Sequence, residues 1–279
     1  MSRENAAYNL EPLWGELLAI YREFARICDS RGMRYYACGG TALGAVRHQG
    51  FIPWDDDFDM FMPRPDYTRF VETVQGELEQ SGLGARYRWR SFETEPGYGH
   101  SFGRLQLADK AAVAALRRDS RLPLPLGICV DVIPLDGIPK NGVKLFLWLA
   151  VRSAWRHLPR FISSRRKALL MYQRFLAAIP FDTAERVEDS KEDASRLRRT
   201  NWPPQMFANP VLLPFCDVKV PLPRDWRTYL SDMIGADYMQ LPPPSSRVPS
   251  HARGDSTGVK SRSKCKILLR LVSENVGRD

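Results

Sequence analysis

Four aspartates crowd into the five positions from Asp55 to Asp59. On a β-strand, residues two apart point to the same side, so Asp55, Asp57 and Asp59 would share one face. Like charges this close repel unless a cation or raised pKa values compensate. Carboxylate oxygens suit magnesium, which completes its coordination with water and substrate phosphates. A charge run is ordinarily a solvated loop, but the apolar flanks 52–54 and 60–62 argue for burial, so we interpret this cluster as a metal site.

A pair of glycines lies upstream of the aspartates. Gly39 and Gly40, followed by Thr41, stand between a strand-like stretch and a short helix, where backbone N–H groups can approach an anion closely. The spacing is neither that of a Walker loop nor that of a Rossmann turn. Arg47, next to His48, is a candidate phosphate clamp because guanidinium binds phosphate bidentately. The ordinary alternatives are a plain turn and a surface arginine.

A second acidic strand is expected further along the chain. Asp131 interrupts an apolar run, and a carboxylate inside a buried strand needs a partner. Proximity to the metal-binding strand would supply one, and an ion pair with an arginine such as Arg104 would supply another. Both interpretations remain open from the residues alone.

The elements that position these residues follow from hydrophobic periodicity. Helices are predicted over 10–30, 41–48, 65–80 and 225–234, and strands over 33–38, 57–62, 103–107 and 127–133. The stretch 143–199 has mostly helical character, and 203–223 is proline-rich and irregular. This order predicts an α+β fold with a mostly helical C-terminal half. We expect a catalytic core with its N-terminal helix over 1–139, a helical basic region over 140–251 and a disordered tail over 252–279.

Three ordered segments resemble the LicD family, which includes bacterial phosphocholine transferases and is related to the fukutin-related proteins. They are Tyr35–Asp66, which holds both the glycine pair and the aspartates, Cys129–Asp136 and Ile234–His251. The resemblance implies a polymerase-β-like nucleotidyltransferase fold, that is, a mixed sheet with flanking helices. It also implies a phosphotransferase that moves a phospho-alcohol from a CDP-activated donor, such as CDP-choline, to a hydroxyl of a cell-surface glycan or glycolipid.

The resemblance assigns roles residue by residue. Asp57 and Asp59 would hold Mg²⁺, with Mn²⁺ as an alternative, and Asp131 would be a third ligand or the base toward the acceptor hydroxyl. Gly39, Gly40 and Thr41 would line the phosphate turn, with Arg47 nearby, and we add His48 and Arg104 as candidate substrate-binding residues. Two other functions fit the same residues: a nucleotidyltransferase that transfers an NMP and releases pyrophosphate, and a catalytically silent glycan- or lipid-binding relative.

The net charge of +9 is concentrated in one segment. Residues 140–174 carry nine basic side chains and no acidic one, so the remainder of the chain is neutral. Three interpretations remain for this block: a helix at an anionic membrane surface, a core-packed helix with a solvated basic face, and an electropositive wall for an anionic acceptor. Nucleic acid is not an expected partner, because no recognition motif is present.

Cysteine usage and the N-terminal sequence bear on the compartment. The five cysteines are widely spaced without a CxxC pair, which is typical of a reducing compartment. The first ten residues lack the apolar core of a signal peptide. A cytoplasmic protein, or one peripheral to the inner face of the membrane, is therefore expected.

Overall fold

A computed structural model describes residues 8–95, 98–122, 127–140, 142–157, 165–189 and 201–250. The predicted tail 252–279 lies outside these residues, as do the side chains of 152–169. The helices are α1 (Glu11–Ser30), α2 (Gly39–Arg47), α3 (Arg64–Gln80), α4 (Lys110–Ser120), α5 (Gly142–His157), α6 (Arg165–Leu176) and α7 (Trp226–Met233). The strands are β1 (Tyr36–Ala37), β2 (Asp59–Pro63), β3 (Tyr87–Arg90), β4 (Gly103–Leu107), β5 (Cys129–Gly137), β6 (Val187–Asp189), β7 (Asn201–Trp202), β8 (Val211–Phe215) and β9 (Val218–Leu222).

Seven of the described strands form one mixed sheet around β5. The order is β1-β2-β5-β4-β3, with β6 paired to β5 and β7 paired to β6. Only the β2–β5 pair is parallel, and the other pairs in this sheet are antiparallel. The central strand β5 is the apolar run interrupted by Asp131, as expected for a strand buried on both faces. The predicted α+β class is confirmed.

Helix α1 packs along the sheet as its periodicity predicts. Its buried side chains recur every three or four residues and form one face: Leu13, Leu17, Ile20, Tyr21, Phe24 and Ile27. This face contacts α3, α4 and the strands β4 and β5. Helix α3 contacts β2, β3 and β5. Both helices therefore hold in place the strands that carry the acidic residues.

The structure differs from the sequence-based expectations at several elements. The predicted strand 57–62 begins at Asp59, because 55–58 form an irregular loop that follows a turn in which the backbone N–H of Asp55 donates to the Ile52 carbonyl at 2.8 Å. The stretch 203–223, predicted to be irregular, contains the hairpin β8–β9, where Pro214 is tolerated on a two-stranded edge. Strand β3, helix α4 and the short strands β6 and β7 were also not expected from periodicity.

None of the helices in the described part of the chain is long and apolar enough to cross a membrane.

Candidate active site

One row of charged side chains crosses the sheet. The register places Asp59 of β2 opposite Asp131 of β5, Asp131 opposite Arg104 of β4, and Arg104 opposite Arg90 of β3. Directly opposite residues on neighbouring strands point to the same face of a sheet. Two carboxylates therefore lie side by side and two guanidinium groups follow them. This arrangement creates a steep change of charge along the row.

Asp131 is held by a nearly buried ion pair. The Arg104 Nε donates to its Oδ1 at 2.8 Å and Nη2 to its Oδ2 at 3.3 Å, with the side chains 9% and 16% exposed, respectively. Burial is the largest single influence and lowers the pKa of Arg104, but the charges of Asp131, Cys129 and Tyr98 and the hydrogen bond to Asp131 together raise it. Of the two partners that the sequence left open for Asp131, the arginine is present. A role for Asp131 as metal ligand or base stays a prediction.

The thiol of Cys129 lies on the same strand beside this pair. Its Sγ donates to Oδ1 of Asp131 at 3.5 Å. Burial raises the pKa of Cys129, and the charge of Asp131 raises it further. The thiol therefore stays protonated and acts as a hydrogen-bond donor to the carboxylate.

The acidic loop brings three carboxylates together ahead of β2. Asp55, Asp56 and Asp57 each offer an oxygen, and these oxygens lie within 4.8 Å of one another. Burial raises the pKa of Asp55 well above its usual range, and the charge of Asp57, a hydrogen bond with that side chain and the charges of Asp59 and Asp56 add to the effect. A divalent cation relieves such repulsion, so the donor set fits Mg²⁺ or Mn²⁺.

The glycine pair lies directly against these carboxylates. A Cβ on Gly40 would be 2.6 Å from Oδ2 of Asp55, and one on Gly39 would be 3.3 Å from Oδ2 of Asp59. Gly39 also has a φ of +53°, which favours glycine. The hydroxyl of Thr41 accepts the backbone N–H of Asp59 at 2.9 Å. The turn and the acids therefore form one packed unit at the N-terminus of α2, whose dipole favours negative charge.

Arg47 and His48 lie at the other end of α2. The Nη1 of Arg47 donates to the carbonyls of Tyr238 and Gln240 at 2.8 and 3.0 Å. The His48 ring makes a T-shaped contact with Trp54 at a centroid distance of 6.4 Å. The structure therefore gives Arg47 a chain-anchoring contact, and its role as a phosphate clamp stays a prediction.

The C-terminal segment crosses the acidic loop and brings residues that sequence analysis did not select. The guanidinium of Arg247 lies 5.5 Å from the centre of the Trp54 ring, and its Nε donates to the Pro242 carbonyl at 2.8 Å. The backbone N–H of Ser250 donates to Oδ1 of Asp56 at 3.1 Å. Burial lowers the pKa of Arg47 and the charge of Arg247 lowers it further, because the two cations face the same region.

Two more residues belong to the site. Asp55 is central to the acidic loop, and the two-residue spacing of Asp55, Asp57 and Asp59 was the signal that could have selected it. The hydroxyl of Tyr229, on α7, accepts the backbone N–H of Gly39 at 2.9 Å while its side chain is 0% exposed. No local sequence pattern indicates this contact, because the two residues are 190 positions apart.

The fold and site define a class: an α+β protein in which a mixed sheet, an acidic loop and a glycine turn converge. Residues 32–113 match the family model described as LicD/FKTN/FKRP, nucleotidyltransferase domain. This segment is therefore similar to the nucleotidyltransferase domain of the LicD family. The matched range includes the glycine turn, the acidic loop and Arg104, and stops short of Asp131.

Curated relatives extend this similarity. The lipopolysaccharide cholinephosphotransferase LicD of Haemophilus influenzae is 24% identical over 264 residues, which cover 84% of this chain and 92% of that protein. The human ribitol 5-phosphate transferase FKRP is 32% identical over 115 residues, 38% of this chain and 22% of that protein. An uncharacterised protein of Rickettsia prowazekii is 32% identical over 71 residues, about a quarter of each chain.

Proposed function

We propose that this protein is a phosphotransferase that moves a phospho-alcohol, such as phosphocholine, from a CDP-activated donor to a hydroxyl of a cell-surface glycan or glycolipid. The observation that carries the proposal is the convergence of the acidic loop, Asp59 and the Arg104–Asp131 pair on the glycine turn. Similarity to the Haemophilus influenzae cholinephosphotransferase along 84% of the chain supports a glycan acceptor.

In this proposal Asp57 and Asp59, with Asp55 beside them, hold a divalent cation. Bound there, Mg²⁺ would neutralise charge on the diphosphate of the donor and on the departing CMP. The positive end of the α2 dipole lies at the same place and adds a fixed favourable potential for the donor phosphates. Positioning and electrostatics of this kind supply most of the catalysis in phosphoryl transfer.

The remaining task is to accept the proton of the acceptor hydroxyl. Asp131 is suited to it because Arg104 holds its carboxylate in one orientation through two hydrogen bonds. The acceptor oxygen forms a bond to the phosphorus of the phospho-alcohol, the bond from that phosphorus to the CMP oxygen breaks, and the hydroxyl proton passes to Asp131. CMP leaves with the electron pair of the broken bond.

Product analysis tests the proposal against its alternatives. Purified protein is incubated with a panel of CDP-alcohols, a glycan acceptor and Mg²⁺, and the nucleotide product is identified. Release of CMP with transfer to the acceptor is expected. Pyrophosphate release from a nucleoside triphosphate would instead identify a nucleotidyltransferase, and no product with any donor would indicate a catalytically silent binding protein.

Two substitutions test the metal site within the same assay. Asp57→Asn and Asp59→Asn are each expected to abolish Mg²⁺-dependent turnover, because each removes a carboxylate from the proposed cation. The matched control is Asp119→Asn, on α4 and with a side chain 53% exposed, which should keep wild-type turnover. Turnover near the wild-type value in either site variant would contradict the assignment.

A further inference from the structure

Helix α5 is apolar on the side that faces the protein. Trp148 is 1% exposed, and Leu145 and Leu149 are partly buried beside it. These side chains pack in a second hydrophobic cluster with Phe92, Tyr98, Tyr172 and Leu176. The burial of this face attaches α5 to the rest of the protein. An ordinary amphipathic helix has one apolar face, and in α5 that face is already buried.

The outward side of α5 is apolar as well. Val143 is 70% exposed, Phe146 48%, Leu147 54% and Val151 39%, and Met171 on α6 is 70% exposed. The four residues of α5 recur at helical spacing and form one stripe. Single exposed apolar side chains are normal, but a contiguous set marks an interaction surface. We call these four residues the α5 face.

The charge of the same segment identifies the partner. Residues 140–174 carry nine basic side chains and no acidic one. An exposed apolar stripe within a strongly cationic helical segment is the combination that binds an anionic lipid surface, where apolar side chains enter the headgroup region and cations meet lipid phosphates. A core-packed helix with a solvated basic face, in contrast, would place polar residues where Phe146 and Leu147 are exposed.

The position of α5 relative to the site gives this surface a role. The second hydrophobic cluster includes Tyr98, and the guanidinium of Arg90, which lies opposite Arg104 in the charge row, is 5.7 Å from the centre of the Tyr98 ring. Gln173 of α6 donates to the carbonyl of Ser101 at 3.0 Å. The helix pair α5–α6 therefore packs against the segment that leads into β4, and Arg104 of β4 holds the proposed base, so the α5 face and that base are linked through packed residues.

We propose that the α5 face binds the surface of an anionic bilayer and that the acceptor is a lipid-linked glycan presented there. The identity of the acceptor rests on the proposed function, whereas binding to the bilayer does not. The binding is interfacial, since none of the described helices is able to span a membrane.

Co-sedimentation of the full chain with vesicles tests the proposal. Vesicles of phosphatidylcholine, with and without phosphatidylglycerol, are compared for the wild type and for Phe146→Ser/Leu147→Ser. Wild-type protein should bind vesicles that contain phosphatidylglycerol more strongly than vesicles of phosphatidylcholine alone. The double variant should bind the phosphatidylglycerol vesicles at least about tenfold more weakly than the wild type. The matched control is Leu212→Ser on β8, which is 60% exposed outside this face and should bind like the wild type.

Three outcomes would overturn the proposal: no binding of the wild type to anionic vesicles, equal loss of binding in Leu212→Ser, or a dimer that Phe146→Ser/Leu147→Ser dissociates while vesicle binding is unchanged. Circular dichroism and urea unfolding confirm that the variants fold. The assay separates this proposal from the proposed function. Phe146→Ser/Leu147→Ser should keep turnover on a water-soluble acceptor, whereas Asp57→Asn should lose turnover and keep vesicle binding.

Discussion

Replacing Arg104 by methionine tests the charge row of the sheet most directly. The substitution leaves Asp131 without its ion-pair partner and next to Asp59, its register neighbour. Removing one member of a buried pair costs about 3–5 kcal/mol, and the partial exposure of Asp131 reduces this to about 2–4 kcal/mol. Asp131→Asn should cost less, because it leaves Arg104 unpaired but also removes the repulsion with Asp59.

Urea unfolding with and without Mg²⁺ measures these differences. A ligand that binds only the folded state at a hundred times its Kd stabilises by about 2.7 kcal/mol. Mg²⁺ should therefore recover much of the stability that Arg104→Met loses, since the cation compensates the unpaired carboxylates. The double variant Arg104→Met/Asp131→Asn should unfold within about 1 kcal/mol of the wild type, because neither charge is then left alone. It should nevertheless release no CMP.

Two results would refute this reasoning. If Arg104→Met unfolds within about 0.5 kcal/mol of the wild type in the absence of metal, the ion pair does not stabilise the fold. If the double variant regains turnover, then Asp131 is not required as base or as metal ligand, and its contact with Arg104 is purely structural. The two readouts are independent, so either part of the argument can fail alone.

The other predictions concern the parts that support the site. Gly40→Ala should lose about 1–3 kcal/mol of stability together with metal-dependent turnover, because its Cβ would be 2.6 Å from Oδ2 of Asp55. Gly76→Ala, with nothing within 4 Å of its Cβ, should leave turnover unchanged and gain up to about 1 kcal/mol in urea unfolding. Tyr229→Phe should cost about 1–3 kcal/mol by removing the acceptor of the partly buried Gly39 N–H, and an unchanged midpoint of thermal unfolding would contradict this. Burial, with the neighbouring arginine, lowers the pKa of His48 below its ordinary 6.5, so the fold disfavours its charged form. The contribution of neutral His48 to stability is present above about pH 6.5 and is lost as the pH falls. Between pH 7 and 5, the free energy of urea unfolding should therefore decrease more for the wild type than for His48→Gln.

The sequence predicted those elements whose signal is local. Helix α1 followed from an apolar residue every three or four positions, and β5 followed from an apolar run interrupted by Asp131. The hairpin β8–β9 was missed because Pro214 and the flanking prolines suggested irregular chain, whereas an edge strand tolerates proline. Local patterns therefore predict buried helices and central strands better than edges.

The candidate site was predicted in its chemistry but not in its geometry. The strand alternation that grouped Asp55 with Asp57 and Asp59 was applied to a stretch in which 55–58 form an irregular loop before β2. The loop brings Asp55 and Asp57 together with Asp56, which alternation would place on the other face, whereas Asp59 lies on β2 and is not one of these three. Contacts from distant segments, such as Tyr229 to Gly39 and Ser250 to Asp56, depend on the tertiary fold and have no signature in the local sequence.

The two aspartates of β5 lie on opposite faces of the strand, one in the candidate site and the other in a structural ion pair. Asp131 and Asp136 are five residues apart, so their side chains point to opposite faces of the sheet. Asp136 is 2% exposed and pairs with Arg64 of α3 at 2.6 and 2.5 Å, and the same guanidinium donates to Gln173 of α6 at 2.9 Å. One face of β5 therefore carries the charge row, while the opposite face joins α3 to α6. Because α6 and α5 share the second hydrophobic cluster, this buried pair also fixes the α5 face relative to the site.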